Sequence, residues 1–314
     1  MFISCLNFIK NLFSEKSRVD FQSEEISDLD YESLCELYYK NEWLGHQINK
    51  EGLEKLWFDY TDHQEKKILI QLINNFTYLT QEDSVVKLRQ KLDEGIRDWS
   101  LLPKNTLFIG FRKHKFPDGS EILLNQIKAI LVELNGDWQE QNLIPDFHYG
   151  IERIKKGGFT RDGLFLKNIV LVDDFIGTGG TAEKNLKHLQ NILSEVKGEH
   201  NLKIFSVAAM KSGIKKIKKL DVSLKTCIEL DKATTIIYPI FKRKKFRKKI
   251  VIMERILYKG KDPESLEKFS LGFGKSETLY SWGRFNLPNN NLPLFWWNRY
   301  TDGSKRKALF NRMQ

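Results

Sequence analysis

The chain of 314 residues holds only three cysteines, Cys5, Cys35 and Cys227, far apart and without metal-ligand spacing. That scarcity argues against a disulfide framework and fits a reducing cytoplasm. Prolines number seven, and none falls between Ile26 and Ser100. No transmembrane segment is expected. The apolar start, Met1 to Phe13, is broken by Asn7 and Lys10. It is too short and polar to span a bilayer and lacks the basic opening of a signal peptide. Its spacing is helical, which suits a packed amphipathic helix or one lying on a membrane surface. Internal repeats and low-complexity linkers are absent too. With 41% hydrophobic residues the chain is globular, and its length allows a large core and two structural units.

Basic residues outnumber acidic ones, giving a net charge of +10. The excess is concentrated in Lys242-Arg243-Lys244-Lys245-Phe246-Arg247-Lys248-Lys249, with a second block from Lys211 to Lys219. Such blocks attract polyanions through salt-sensitive phosphate contacts, or form a solvated basic loop or hairpin. No acid lies between Lys242 and Lys249 to neutralise the run locally.

From Ile26 to about Ser100 apolar residues return at three and four, most clearly as Ile68, Leu69, Leu72, Ile73 and Phe76. The spacing predicts a helical subdomain over residues 1–100, with Trp43, Trp57, Phe58, Tyr60 and Trp99 in its core. After Pro103 the pattern changes. Thr106 to Phe111 reads as a strand, followed by a loop, Arg112 to Ser120, and a helix from about Glu121 to Leu134. Further strands are expected at Leu202–Met210, Thr234–Ile240 and Ile250–Met253, so an alternating α/β core spans residues 101–260. Residues 261–314 contain Leu271 to Leu279 and then Leu287-Pro288-Asn289-Asn290-Asn291-Leu292-Pro293-Leu294-Phe295-Trp296-Trp297. Prolines, consecutive asparagines and a tryptophan pair describe an irregular cover segment.

Residues 169 to 181 carry the chemistry: Ile169-Val170-Leu171-Val172-Asp173-Asp174-Phe175-Ile176-Gly177-Thr178-Gly179-Gly180-Thr181. An unbroken apolar run suits a strand buried on both faces of a parallel sheet. The acids then fall at its carboxyl end, where open α/β sheets bind ligands. Ala182 to Leu189 follows with helix formers, so the glycine and threonine turn opens a helix whose free N–H groups and dipole attract a phosphate. Gly179 and Gly180 permit close backbone approach, Thr178 and Thr181 can donate hydroxyl hydrogen bonds, and Asp173 and Asp174 can accept from vicinal sugar hydroxyls. An ordinary strand, turn and helix is the plain alternative, but two adjacent acids before such a turn have no evident packing use. Upstream, Glu152 to Gly163 joins cations to glycines in a hairpin or lid, with an exposed hairpin of no catalytic duty as the other reading.

The stretch from Ile169 to Thr181 resembles the phosphoribosyl pyrophosphate motif of type I phosphoribosyltransferases. Together with the helical front and the C-terminal asparagine and tryptophan block, the chain resembles the phosphoribosyltransferase-like proteins of bacterial conflict systems (the PRTase-CE type), including those encoded beside retron reverse transcriptases. The resemblance implies an α/β phosphoribosyltransferase-like parallel sheet flanked by helices. The implied activity is that of an antiphage effector which binds phosphoribosyl pyrophosphate or a related nucleotide, with Mg²⁺ as cofactor. It also implies ribose and phosphate contacts from Asp173, Asp174, Gly177, Thr178, Gly179, Gly180 and Thr181, catalytic roles for the acid pair with Lys155, Lys156 and Arg161, and pyrophosphate contacts from Arg112, Lys113 and Lys115. His114 reads as a solvated loop residue. Gly177 departs from the carboxylate of hypoxanthine-type salvage enzymes, which counts against that substrate class. A reverse transcriptase with its RNA or DNA is the implied partner, contacted by Lys242, Arg243, Lys244, Lys245, Arg247, Lys248 and Lys249; a second copy of the chain is another candidate. The alternative is a catalytically inactive nucleotide-sensing module that docks such a complex.

Overall fold

The computed structural model describes residues 28–45, 50–112, 119–134, 137–155, 166–196, 198–260, 265–283 and 285–312. The N-terminal amphipathic segment, Lys113, His114, Lys115, Lys156 and Arg161 lie outside them, and the side chain of Arg112 does too. The chain forms two compact units, one comprising residues up to Phe76, Ile252–Tyr258 and everything from Leu294 on, the other Thr77–Val251 with Lys259–Pro293.

The first unit contains α1 (Asp28–Lys40), α2 (Lys50–Phe58) and α3 (His63–Asn74). Asp62 caps α3, its carboxylate accepting from the Gln64 and Glu65 amides, which satisfies donors that the helix start leaves open. The expected apolar stripe is the buried face: Ile68, Leu69, Leu72 and Ile73 are all buried, as is Phe76. Phe76 stacks on Trp43 and on Phe310, each with ring centroids 5.1 Å apart, and meets the Phe295 ring edge-on. Trp57 and Tyr60 are core residues. Phe58 is not: it is 38% exposed, because it follows the inward Trp57 and neighbours on a helix do not share a face.

In the second unit the order is β1 (Thr77–Leu79), α4 (Gln81–Asp98), β2 (Thr106–Arg112), α5 (Gly119–Leu134), β3 (Leu143–Asp146), α6 (Phe147–Lys155), β4 (Asn168–Ile176), α7 (Gly180–Glu195), β5 (Asn201–Met210), α8 (Lys211–Lys218), β6 (Ser223–Leu230), α9 (Ala233–Ile237), α10 (Ile240–Met253), which ends in the first unit, α11 (Leu266–Phe269) and β7 (Tyr280–Trp282). Five strands form a sheet in the order β3-β2-β4-β5-β6. Every pairing in it is parallel. The sheet is thus an α/β layer with helices on both faces. One face packs Ile169 and Leu171 against Leu186 and Leu189 of α7, the other packs Val170 and Val172 against Leu123 and Ile127 of α5. Residues Ile169 to Val172 are fully buried, each side chain worth about 1.5–3 kcal/mol of hydrophobic stabilisation.

Two expected strands are helices instead. Thr234–Ile240 falls on α9 and the start of α10, and Ile250–Met253 closes α10. Ile250 and Met253 are buried while Val251 and Ile252 are exposed, so the short apolar run follows a helical period. The basic run is the body of α10 rather than a loop or hairpin. Trp99 is half-buried, its indole N–H donating to Ser223 Oγ at 2.9 Å. The short strands β1 and β7 pair in parallel, Thr77 opposite Tyr280. Among the described residues no helix is long and apolar enough to cross a membrane.

Candidate ribose-phosphate site

The chain leaves β2 for β3 on one side and returns as β4 on the other. The carboxyl ends of β2 and β4 therefore flank the point where strand order reverses, the place where sheets of this kind bind ligands. Asp173 and Asp174 sit there on β4, Gly110 of β2 being paired with Val172 just before them. The backbone of Arg112 ends β2 at the same edge. Gly179 takes a left-handed conformation, φ +75°, which a side chain disfavours. The chain then enters α7 at Gly180, so the turn presents the helix N-terminus as the sequence implied.

Asp174 is nearly buried, at 8% exposure. Its carboxylate lies against the first residue of α5: a β-carbon on Gly119 would fall 2.2 Å from Asp174 Cγ. A glycine is required there, and the positive end of α5 favours the anion. Asn286, from the turn that follows β7, donates to Asp174 Oδ2. Tyr280 stacks on Phe175 with centroids 5.7 Å apart. Burial pushes its phenol well above the usual value, with the Asp174 carboxylate and Cys227 adding to the rise.

The C-terminal segment is fitted to the glycine and threonine turn. A β-carbon on Gly177 would lie 2.4 Å from Asn290 Nδ2, and one on Gly274 would lie 2.6 Å from Thr178 Cγ2. Asn290 Nδ2 donates to Phe273 O and Ser276 Oγ, each at 3.0 Å. Asn291 pairs with both backbone groups of Tyr280, accepting from its N–H and donating to its C=O at 2.8 Å. The asparagine-rich block thus supplies hydrogen bonds that a loop lacks by itself. From the other side, the start of α8 packs on the turn. A β-carbon on Gly213 would be 2.4 Å from Gly177 O. Lys216, one turn later, bonds Glu183 Oε2 at 2.7 Å. Lys187 also bonds Glu183, at 2.9 Å, and the two ammonium groups hold its carboxyl down at about 2.

The remaining basic residues separate. Lys155 ends α6, and nearby Arg153 lines a cavity with Lys104 and Thr106 at the amino-terminal edge of β2, the edge of the sheet opposite the acid pair. In α10, Arg247 turns inward: its Nε donates to buried Glu277 at 2.5 Å, and Glu277 also accepts from the Thr234 amide at 3.2 Å. The acid that neutralises it comes from thirty residues downstream, not from within the run. Arg243 donates to Tyr238 O at 3.0 Å. Lys242, Lys244, Lys245 and Lys248 are exposed, and Lys249 is half-buried. Sequence reasoning missed Gly119, Lys216, Gly213, Gly274, Asn286 and Asn290 as neighbours of the motif. Only the asparagine block carried a signal, and it read as a turn.

A parallel sheet with an acid pair at its switch point, followed by a glycine and threonine turn into a helix, defines a phosphoribosyltransferase-like protein. The chain belongs to the PRTase-CE family, which matches residues 40–312. No curated protein matches it. Among solved structures it is similar to the xanthine-guanine-hypoxanthine phosphoribosyltransferase of Helicobacter pylori, at 13% identity over 49% of this chain and 83% of the other, with a TM-score of 0.29. It is similar to orotate phosphoribosyltransferase from Aeropyrum pernix, at 15% identity over 68% of this chain and 99% of that one, TM-score 0.30. The orotate phosphoribosyltransferase of Mycobacterium tuberculosis, solved with inorganic phosphate, gives 10% identity over 63% and 96%, TM-score 0.28. Membership of the family rests on the match over residues 40–312 and not on these distant likenesses.

Proposed function

We propose that the chain binds phosphoribosyl pyrophosphate or a related ribose 5-phosphate ester at the carboxyl end of β4, and transfers or modifies the phosphoribosyl group as a triggered effector of antiphage defence. One observation carries the reading: Asp173 and Asp174 lie toward the carboxyl end of β4, just before Phe175 and Ile176 close the strand, and residues 177–179 lead directly into the N-terminus of α7. The turn would take the 5′-phosphate through backbone N–H groups and the hydroxyls of Thr178 and Thr181. The acids would orient the ribose by accepting from its hydroxyls. In the transfer, the bond from the anomeric carbon to pyrophosphate breaks, the electron pair leaves with pyrophosphate, and an acceptor nucleophile forms the new bond. Positioning and electrostatics supply most of the rate. Arg112, Lys113, Lys156 and Arg161 are the cations proposed to meet the leaving group. The acids are oxygen donors suited to a nearby Mg²⁺, and among the described residues no cluster of three acids, histidines or cysteines forms a cage. Such an ion, held largely by substrate oxygens and water, would neutralise pyrophosphate charge.

A second reading is a nucleotide-sensing module without turnover. The Asn286 amide already engages Asp174, an acid that a sugar hydroxyl would need. In this reading the exposed lysines of α10 dock a reverse transcriptase or its nucleic acid, retron complexes being the source the sequence resemblance suggests. Incubation of the protein with Mg²⁺, phosphoribosyl pyrophosphate and pooled bases decides between the two. Pyrophosphate release supports the enzyme; tight binding without release, even with the partner present, supports the module.

A further inference from the structure

The first turn of α8 lies on the phosphate turn so closely that Gly213 has no room for a β-carbon and Gly179 has little. One on Gly213 would fall 2.4 Å from Gly177 O and 3.3 Å from Gly179 N. One on Gly179 would meet Gly213 Cα at 3.1 Å and Lys216 Cβ at 3.4 Å. Lys216 follows Gly213 by three residues and so shares its face of the helix. Its side chain runs along Gly179 to Gly180. At Gly180 the fit is looser and a β-carbon would make only ordinary contacts. The nearest atoms to a β-carbon there are Thr178 Oγ1 at 3.8 Å and Lys216 Nζ at 4.0 Å. A hydroxyl and an ammonium therefore meet beside the first residue of α7.

The charges around that position are unbalanced. Glu183 alone faces two ammonium groups, Lys216 at 2.7 Å and Lys187 at 2.9 Å. If Lys216 turned away, Lys187 would still neutralise Glu183. Lysine is suited to such a move, a point charge on a flexible stem with three rotatable donors. The Lys216 side chain is 42% exposed; its stem is held against Gly179 while its ammonium end can change partner.

We propose that Lys216 is a phosphate ligand of this site, leaving Glu183 to bind the 5′-phosphomonoester of the bound ribose alongside Thr178. The assignment rests on reading residues 177–181 as the phosphate turn and adds to it a residue from the next βα unit. The ligand chemistry is a phosphomonoester dianion, whose second charge the helix N-terminus and Thr178 hydroxyl do not formally neutralise. Glu183 then competes with phosphate for the ammonium, which it holds near the turn until phosphate arrives.

Calorimetry of the full chain with ribose 5-phosphate, and separately with inorganic phosphate, tests the assignment. Lys216→Met, which keeps the stem, is expected to weaken ribose 5-phosphate at least about tenfold, the scale of one charge-assisted hydrogen bond. It should weaken inorganic phosphate by a similar factor, with unchanged melting. Lys216→Arg should retain binding within about threefold, since the charge and donors remain. Glu183→Gln should bind as tightly as the parent or tighter. Lys216→Met binding within twofold of a parent that does bind would overturn the role of Lys216 while leaving the phosphate turn intact. A parent that binds neither probe would overturn both.

Discussion

Asn290 fills the space beside Gly177, its Nδ2 placed 2.4 Å and its Oδ1 2.8 Å from where a β-carbon at 177 would stand. The amide is anchored by donation to Phe273 O and Ser276 Oγ and cannot retreat without losing both. This accounts for the missing side chain at position 177: the C-terminal segment occupies the space one would need. Gly177→Ala should therefore destabilise by about 1–3 kcal/mol through overpacking. In an Asn290→Ala background the same change should cost less than about 0.5 kcal/mol. Urea denaturation of the four proteins measures the coupling, and equal costs in both backgrounds would remove the contact from the account.

Arg306 and Asp59 form a buried pair in the first unit. Their side chains are 0% and 4% exposed, with Nε to Oδ2 at 2.8 Å. The guanidinium also donates to Trp297 O at 2.9 Å and Leu294 O at 3.0 Å, and Tyr300 donates to Asp59 at 2.8 Å. Removing one partner strands a buried charge, at about 3–5 kcal/mol. Asp59→Asn and Arg306→Met should each lose that much in urea denaturation, and the double variant should lose less than the sum.

Burial pushes the Cys227 thiol up to about 12, the nearby Lys91 and Lys87 opposing the rise only in part. Its Sγ faces Lys87 O at 3.7 Å. Because the thiolate is the reactive form, alkylation of the folded protein with iodoacetamide at pH 8 should be more than about tenfold slower at Cys227 than after denaturation. Peptide mass spectrometry over a time course reads this directly. Rapid labelling of Cys227 in the folded state would contradict the packing of β6.

The exposed face of α10 carries Lys242, Lys244, Lys245 and Lys248 beside Phe241, itself 76% exposed. If these four lysines meet phosphates, log affinity for nucleic acid should fall with log salt at a slope of roughly 3 to 4, the shallower value for single strands. Changing all four to Glu should abolish binding in a filter or anisotropy assay without altering ribose 5-phosphate affinity. Undiminished binding across the salt series would reduce the face to solvated surface.

Much of this second unit is legible in the sequence because its central strands are unbroken apolar runs. Ile169–Val172 and Leu202–Met210 fall where the sheet places β4 and β5. The failures are physical. A four-residue run such as Ile250–Met253 is too short to separate strand from helix, and α10 hid its period behind lysines. β6 went unseen because Lys225 and Glu229 break its apolar pattern, and β3 because Pro145 does. β1 and β7 pair across some two hundred residues, which no local pattern reports. At the site, the acids and the turn announced themselves by spacing. Gly119, Lys216, Asn286 and Asn290 did not, because only folding brings α5, α8 and the C-terminal segment onto β4.

The central claim is that the carboxyl end of β4 is a ribose-phosphate site. Calorimetry of phosphoribosyl pyrophosphate with Mg²⁺ against the parent and Asp173→Asn, a change that leaves the contact between Asp174 and Asn286 in place, tests it most directly. Saturable binding by the parent and at least about tenfold weaker binding by a variant of unchanged melting is the predicted result, on the scale of one charge-assisted hydrogen bond. Equal affinity of the two proteins, or no binding by either, would contradict it.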